Sequence, residues 1–166
     1  MPAVPAALAG VYPILATPFR ADGRVDEEDL GRLVDFIVDA GADGIVFPGV
    51  ASEFETLAPA ERRHLVAAVA QRVAGRIPFV VGVSAADAQA AAALALHARD
   101  VGAAGVMAVA PASLKGNADG IADYYARIAE AGVPIILQNA PPPAGCALSP
   151  AEVVAIGAGG DGADDF

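Results

Sequence analysis

Residues 26–49 read DEEDLGRLVDFIVDAGADGIVFPG, and the order of fold signals in this stretch decides the architecture. Leu30, Leu33, Val34, Ile37 and Val38 recur at steps of three and four, which places them on one face of a helix. Asp26, Glu27, Glu28 and Asp29 open that helix, and Gly41 closes it. Gly44-Ile45-Val46-Phe47 follows directly as a short apolar run that stops at Pro48-Gly49, as expected of a strand buried on both faces.

The same pair recurs along the chain. Pro59 starts a helix carrying Leu65, Val66, Val69 and Val73, and the strand-like run over 77–83 follows it. An alanine-rich helix over 85–101 leads through Gly102 to Val106-Met107-Ala108-Val109. Ile121, Tyr124, Tyr125 and Ile128 mark a fourth helical face before Gly132 and a strand over 134–137. With a further apolar run over 11–15 at the front, the pattern predicts five buried strands and four complete helices.

A repeating unit of about thirty residues with glycine turns means parallel strands joined by right-handed crossovers. Two α/β architectures use it. A doubly wound sheet would be complete at five strands, whereas an eight-stranded (β/α) barrel needs about 250 residues. Ser149-Pro150-Ala151-Glu152 is a capping box with proline at the first helical position, and Val153, Val154 and Ile156 begin a fifth helix. The apolar period then stops. Residues 157–166 read as a flexible, acidic, glycine-rich tail, and residues 1–156 as the N-terminal portion of a TIM barrel interrupted after its fifth strand.

Composition narrows the function classes. The 166 residues are 55% hydrophobic, and the longest apolar run is far short of the ~18 residues of a membrane helix. The net charge of -10, with no basic cluster, argues against nucleic acid and anionic membrane surfaces as partners. A single Cys146 and a start lacking the regions of a secretory signal predict a reducing cytoplasm.

The usual motifs of cofactor chemistry are not met. Gly157, Gly159 and Gly162 have G-x-G-x-x-G spacing, but they follow a helix instead of a strand and open nothing. His64 and His97 sit inside helical segments without metal-ligand spacing, and no G-x-S-x-G elbow surrounds Ser52, Ser84 or Ser113. No cofactor and no metal is expected. Two turns carry more information. In Phe47-Pro48-Gly49-Val50-Ala51-Ser52-Glu53-Phe54, small residues let backbone N–H groups converge on an anion, although a plain tight turn accounts for the same residues. In Gln138-Asn139-Ala140-Pro141-Pro142-Pro143-Ala144-Gly145, the prolines stiffen the chain, which leaves Gln138 at a strand end without a structural reason.

Taken in order, Thr17-Pro18-Phe19 with Asp22-Gly23, Gly41-Ala42-Asp43-Gly44, Gly49-Val50-Ala51-Ser52-Glu53, Glu61-Arg62-Arg63, Gly102-Ala103-Ala104-Gly105 and Gln138-Asn139-Ala140-Pro141 resemble the dihydrodipicolinate synthase and N-acetylneuraminate lyase family. The resemblance runs from about Gly10 to about Ile156. It implies an eight-stranded barrel, usually a homotetramer. It also implies lyase chemistry, in which a sixth-strand lysine forms a Schiff base with pyruvate or a related 2-keto acid as an electron sink for aldol cleavage, condensation or dehydration. The one lysine here, Lys115, falls in the loop after the fourth predicted strand and reads as a surface charge, so the chain by itself is expected to be inactive.

The departures from the family pattern select a subgroup. The carboxylate-binding turn G-T-T-G-E stands as Gly49-Val50-Ala51-Ser52-Glu53, which keeps the backbone amides, loses both threonine hydroxyls and offers Ser52 nearby. Gln138 replaces the catalytic tyrosine, Pro143 replaces the arginine that binds the second carboxylate, and Ser113 lies near the place of a second relay tyrosine. An amide N–H is too weakly acidic to shuttle a proton as a phenol does, which argues against lysine-pathway synthesis. The Gln138 and Ala140-Pro141 pattern resembles members that dehydrate or cleave 2-keto-3-deoxy sugar acids.

The implied substrate-binding residues are Val50, Ala51, Ser52 and Gln138, with Ser113 and Pro143 as weaker candidates. Two other readings stay open. One is a non-catalytic 2-keto acid binding or assembly protein; the other, weakened by the lack of a phosphate loop after the first strand, is a doubly wound nucleotide-binding domain. Strand edges open at both ends of a partial barrel predict pairing with another chain.

Overall fold

A computed structural model describes residues 8–158. Helix α1 (Glu27–Asp39) begins where the Asp26 side chain accepts from the Asp29 N–H, and strand β1 (Ile45–Val46) follows it. The alternation then continues through α2 (Pro59–Val73), β2 (Phe79–Gly82), α3 (Ala88–Asp100), β3 (Gly105–Ala108), α4 (Ala118–Ala129), β4 (Ile135–Leu137) and α5 (Pro150–Ala158). Short polar side chains at the helix starts accept otherwise orphaned N–H groups, Asp87 from Ala90 at 2.8 Å and Asn117 from Gly120 at 3.0 Å. The capping box forms as read, with Ser149 N–H donating to the Glu152 carboxylate at 2.7 Å.

The strands are all parallel and lie in chain order, β1-β2-β3-β4. That order separates the two architectures left open above. A doubly wound sheet reverses its strand order to create a ligand crevice, and this sheet never reverses. It winds one way with its helices on one side, which is the N-terminal part of a TIM barrel.

The run over 11–15 takes its place beside β1 without becoming a ladder strand. Leu15 N–H donates to Val46 O at 3.0 Å and Val46 N–H to Pro13 O at 2.9 Å, which makes one parallel bridge at Ile14. Gly44 N–H still reaches Val11 O at 3.3 Å, but Pro13 has no N–H to return to Gly44, so no second bridge forms behind the first. Where a fifth full strand was expected, a proline leaves a single bridge. At the other end, α5 continues through Gly157 and Ala158, two residues past the expected stop at Ile156. The rest of the predicted tail, Gly159 and Gly162 included, lies outside the described residues.

Alternate strand residues pack under the helices in one core, in which Ile45, Phe47, Val81, Val106 and Ala108 meet Leu30, Val34, Leu65, Val69, Tyr124 and Ile128. Asp35 accepts from Arg72 Nε at 3.0 Å and from Arg76 at 2.8 Å, pinning α1 to α2 at the surface, where such pairs contribute little. The C-terminal ends of all strands open toward one edge, and the informative turns lie there.

Ala74 caps α2 in the left-handed region, at φ 50, where a Cβ is disfavoured. Ala74→Gly is therefore expected to raise stability by about 0.5–1 kcal/mol. Urea unfolding of the two proteins side by side checks this; an unchanged or lowered midpoint would contradict it.

Candidate functional site

The turn after β1 is built around Ser52, which has no solvent exposure. Its hydroxyl accepts from Gly49 N–H at 2.9 Å and donates to the Leu15 carbonyl. Thr17 Oγ1 donates to Ser52 O at 2.6 Å. These bonds rivet the turn to the front segment and occupy the hydroxyl that the sequence alone offers to a ligand. Ser52 is a holder of the turn.

Val50 and Ala51, by contrast, are exposed, and among the described residues their N–H groups have no hydrogen-bond partner. They open a one-turn 3-10 helix (Val50–Ser52), whose first donors have no partner within the helix. Glu53 ends it in the left-handed region at φ 55. Two adjacent free N–H groups on a fixed turn can receive a carboxylate.

Gly82 in β2 makes room for this turn, because a Cβ there would stand 1.7 Å from Pro48 O. Arg62 then closes the arrangement from α2. Only 6% exposed, it donates to Gly82 O at 2.7 Å and Ser84 O at 2.8 Å, with its guanidinium 4.8 Å over the Phe54 ring. Among the described residues no carboxylate pairs with it. Burial pulls its pKa down to about 10, and its Nε has no partner among the described residues. In the sequence, Arg62 stands out only as part of the Glu61-Arg62-Arg63 signature. Its signal was nonetheless available, since positions 62, 66, 69 and 73 share the apolar stripe of α2 and a charge on that stripe must be buried.

The loop after β4 is held by Asn139, which donates to Leu148 O at 2.7 Å and accepts from Leu148 N–H at 2.8 Å. Cys146 is packed beneath it, and burial raises the pKa of its thiol. Gln138 donates its backbone N–H to Ala108 O at 2.8 Å, while its side-chain amide, half-buried, has no hydrogen-bond partner among the described residues.

The structure brings some of the expected residues together. Val50 and Pro143 line one hollow of about 280 Å³. Pro143 and Ser113 line a second of about 540 Å³ with Arg62 and Ser84. Ala51, Ser52 and Gln138 line neither. Lys115 is exposed just past the 3-10 turn after β3 (Ala112–Leu114).

A family-wide sequence model, that of the Dihydrodipicolinate synthetase family, matches residues 7–158. The chain belongs to that family. The 4-hydroxy-tetrahydrodipicolinate synthase of Methanopyrus kandleri is 37% identical over 145 residues, 86% of this chain and 48% of the relative. The probable 2-dehydro-3-deoxy-D-pentonate aldolase YjhH of Escherichia coli is 32% identical over 149 residues, 89% of this chain and 50% of that protein. Among solved structures, YagE of E. coli, a prophage protein of the dihydrodipicolinic acid synthase family crystallised with pyruvate, superposes with a TM-score of 0.86 at 30% identity. That likeness covers 92% of this chain and 52% of YagE. The chain thus spans about half the length of these dihydrodipicolinate synthetase relatives. No helix among the described residues is long and apolar enough to cross a membrane.

Proposed function

We propose that this chain supplies the carboxylate-receiving edge of a lyase that acts on a small 2-keto acid through a Schiff base. The observation that carries the reading is the pair of N–H groups at Val50 and Ala51, without a partner among the described residues, on a turn that Ser52 fixes from beneath. A carboxylate set there would accept both N–H bonds without rearranging the turn, which is how pre-organised donors bind anions well.

Schiff-base chemistry needs an amine that adds to the ketone and expels water, leaving an iminium that withdraws electrons from the adjoining carbon. Lys115 is the one lysine of the sequence, and it is exposed in the loop after β3. The chain alone is a binder in this proposal, not a catalyst. Gln138, whose amide at the end of β4 has no partner among the described residues, suits hydrogen bonding to substrate hydroxyls better than proton transfer, and this favours 2-keto-3-deoxy sugar acids. A cytoplasmic setting and assembly with further copies complete the proposal.

Borohydride reduction of the purified chain with pyruvate, followed by mass measurement, is expected to leave the mass unchanged while pyruvate still shifts the amide signals of Val50 and Ala51 saturably. A reduced pyruvyl group on Lys115 would overturn the assignment of Lys115 as a bystander. Unmoved amides at saturating pyruvate would overturn the site.

A further inference from the structure

The hollow of about 280 Å³ beside the turn after β1 shares Val50 with the carboxylate-receiving edge, so the groups that line it meet whatever extends from that edge. Among the described residues its charged lining is Glu53 and Glu55 alone, set among Val50, Phe54, Thr56 and Pro143. Both glutamates are exposed, and none of the ion pairs of the described residues engages either of them. Their backbone is fixed, because Glu53 N–H donates to Val50 O at 3.0 Å and Thr56 N–H to Glu53 O at 2.9 Å. Arg62 lines only the larger hollow, where its guanidinium is committed to Gly82 O and Ser84 O and lies against the Phe54 ring.

A 2-keto acid held by its carboxylate at Val50 and Ala51 has this hollow alongside it for its far end. The anchoring carboxylate has two N–H donors to set against the glutamates. A second carboxylate at the far end meets the same two negative charges with no basic side chain among the described lining residues, and like charges a few ångströms apart repel. A hydroxylated end fares differently. Carboxylates accept O–H hydrogen bonds, and Thr56 Oγ1, which donates to Glu53 O at 2.8 Å, keeps lone pairs to accept another.

We propose that Glu53 and Glu55 are specificity-determining residues, which turn away a 2-keto acid that ends in a second carboxylate and admit one that ends in uncharged, hydroxyl-bearing carbons. Their role rests on the carboxylate-receiving reading of Val50 and Ala51 and narrows it. Of the 2-keto-3-deoxy sugar acids, the monocarboxylates fit and the dicarboxylates do not.

The test titrates the 166-residue chain with 2-keto-3-deoxygluconate and with 2-oxoglutarate at low ionic strength, following the amide signals of Val50 and Ala51. 2-Oxoglutarate is expected to bind about tenfold more weakly. In the double variant Glu53→Gln, Glu55→Gln the gap is expected to shrink to about twofold, and the parent chain is expected to show the same narrowing in about 1 M salt, where charges are screened within about 3 Å. The ratio of the two affinities is the readout, because a change in the fold or in the anchoring turn moves both ligands together. Equal affinities in the parent chain overturn the role of the glutamates, as does a gap that survives the substitutions or the salt. Pyruvate, which has no far end, tests the site itself: if it leaves both amides unmoved, the carboxylate-receiving reading fails and this role with it. If pyruvate moves them while the two longer acids bind alike, only the role of Glu53 and Glu55 fails.

Discussion

Gly82→Ala is expected to lose about 3 kcal/mol of stability, at the upper end for a single added methyl in a packed interior. The added carbon would stand 1.7 Å from the Pro48 carbonyl oxygen and 3.8 Å from Gly49 Cα. The obstacle is backbone, so no side-chain rotation relieves it. The turn that carries Val50 and Ala51 must move as a body, and the bonds from Gly49 to Ser52 and from Ser52 to Leu15 must move with it. Chemical unfolding gives the magnitude, and amide shifts of residues 49–53 report the displacement. A variant within about 0.5 kcal/mol of the parent chain, the usual effect of a surface change, would show that the close approach of strand and turn is not rigid.

Arg62→Met is expected to cost about 2 kcal/mol, as the balance of two opposing effects. Removing the guanidinium leaves Gly82 O without its donor and Ser84 O without the 2.8 Å bond from Arg62, both close to a buried side chain. Each buried carbonyl left unpaired costs about 1–3 kcal/mol. Against that stands the relief of removing a charge whose burial has pulled its pKa to about 10 and whose Nε has no partner among the described residues. The carbonyls outweigh the charge because two bonds are lost and the methionine fills only part of the space over the Phe54 ring. Arg62→Lys is expected to rescue little, since one ammonium cannot copy a fork that reaches two carbonyls. Thermal and urea unfolding of both variants decide it; a methionine variant as stable as the parent chain would mean that relief of the buried charge dominates.

Both predictions concern residues that hold the turn after β1, and they differ in how far the sequence alone reveals them. Arg62 could be read from its position on the apolar stripe of α2. Gly82 could not, because a glycine in a strand-like run says only that something comes close, and the distance to Pro48 O exists only once β1 and β2 are side by side. Ser52 shows the same division. Its hydroxyl looked available to a ligand, yet it points into the protein at Leu15 O, a partner 37 positions away in the chain.

By itself the sequence determined the helices, the parallel strands and the edge on which the informative turns lie, because those follow from local periodicity, caps and the handedness of short crossovers, whereas the order of the strands in the sheet came from the tertiary structure. The tertiary structure alone decided which polar groups at that edge are occupied and which are free. Ser52 and Arg62 are engaged with distant carbonyls, at Leu15, Gly82 and Ser84, whereas the N–H groups of Val50 and Ala51 and the amide of Gln138 have no partner among the described residues. Hydrogen-bond satisfaction depends on which segments meet, and contacts between segments tens of residues apart leave no periodic trace in the chain.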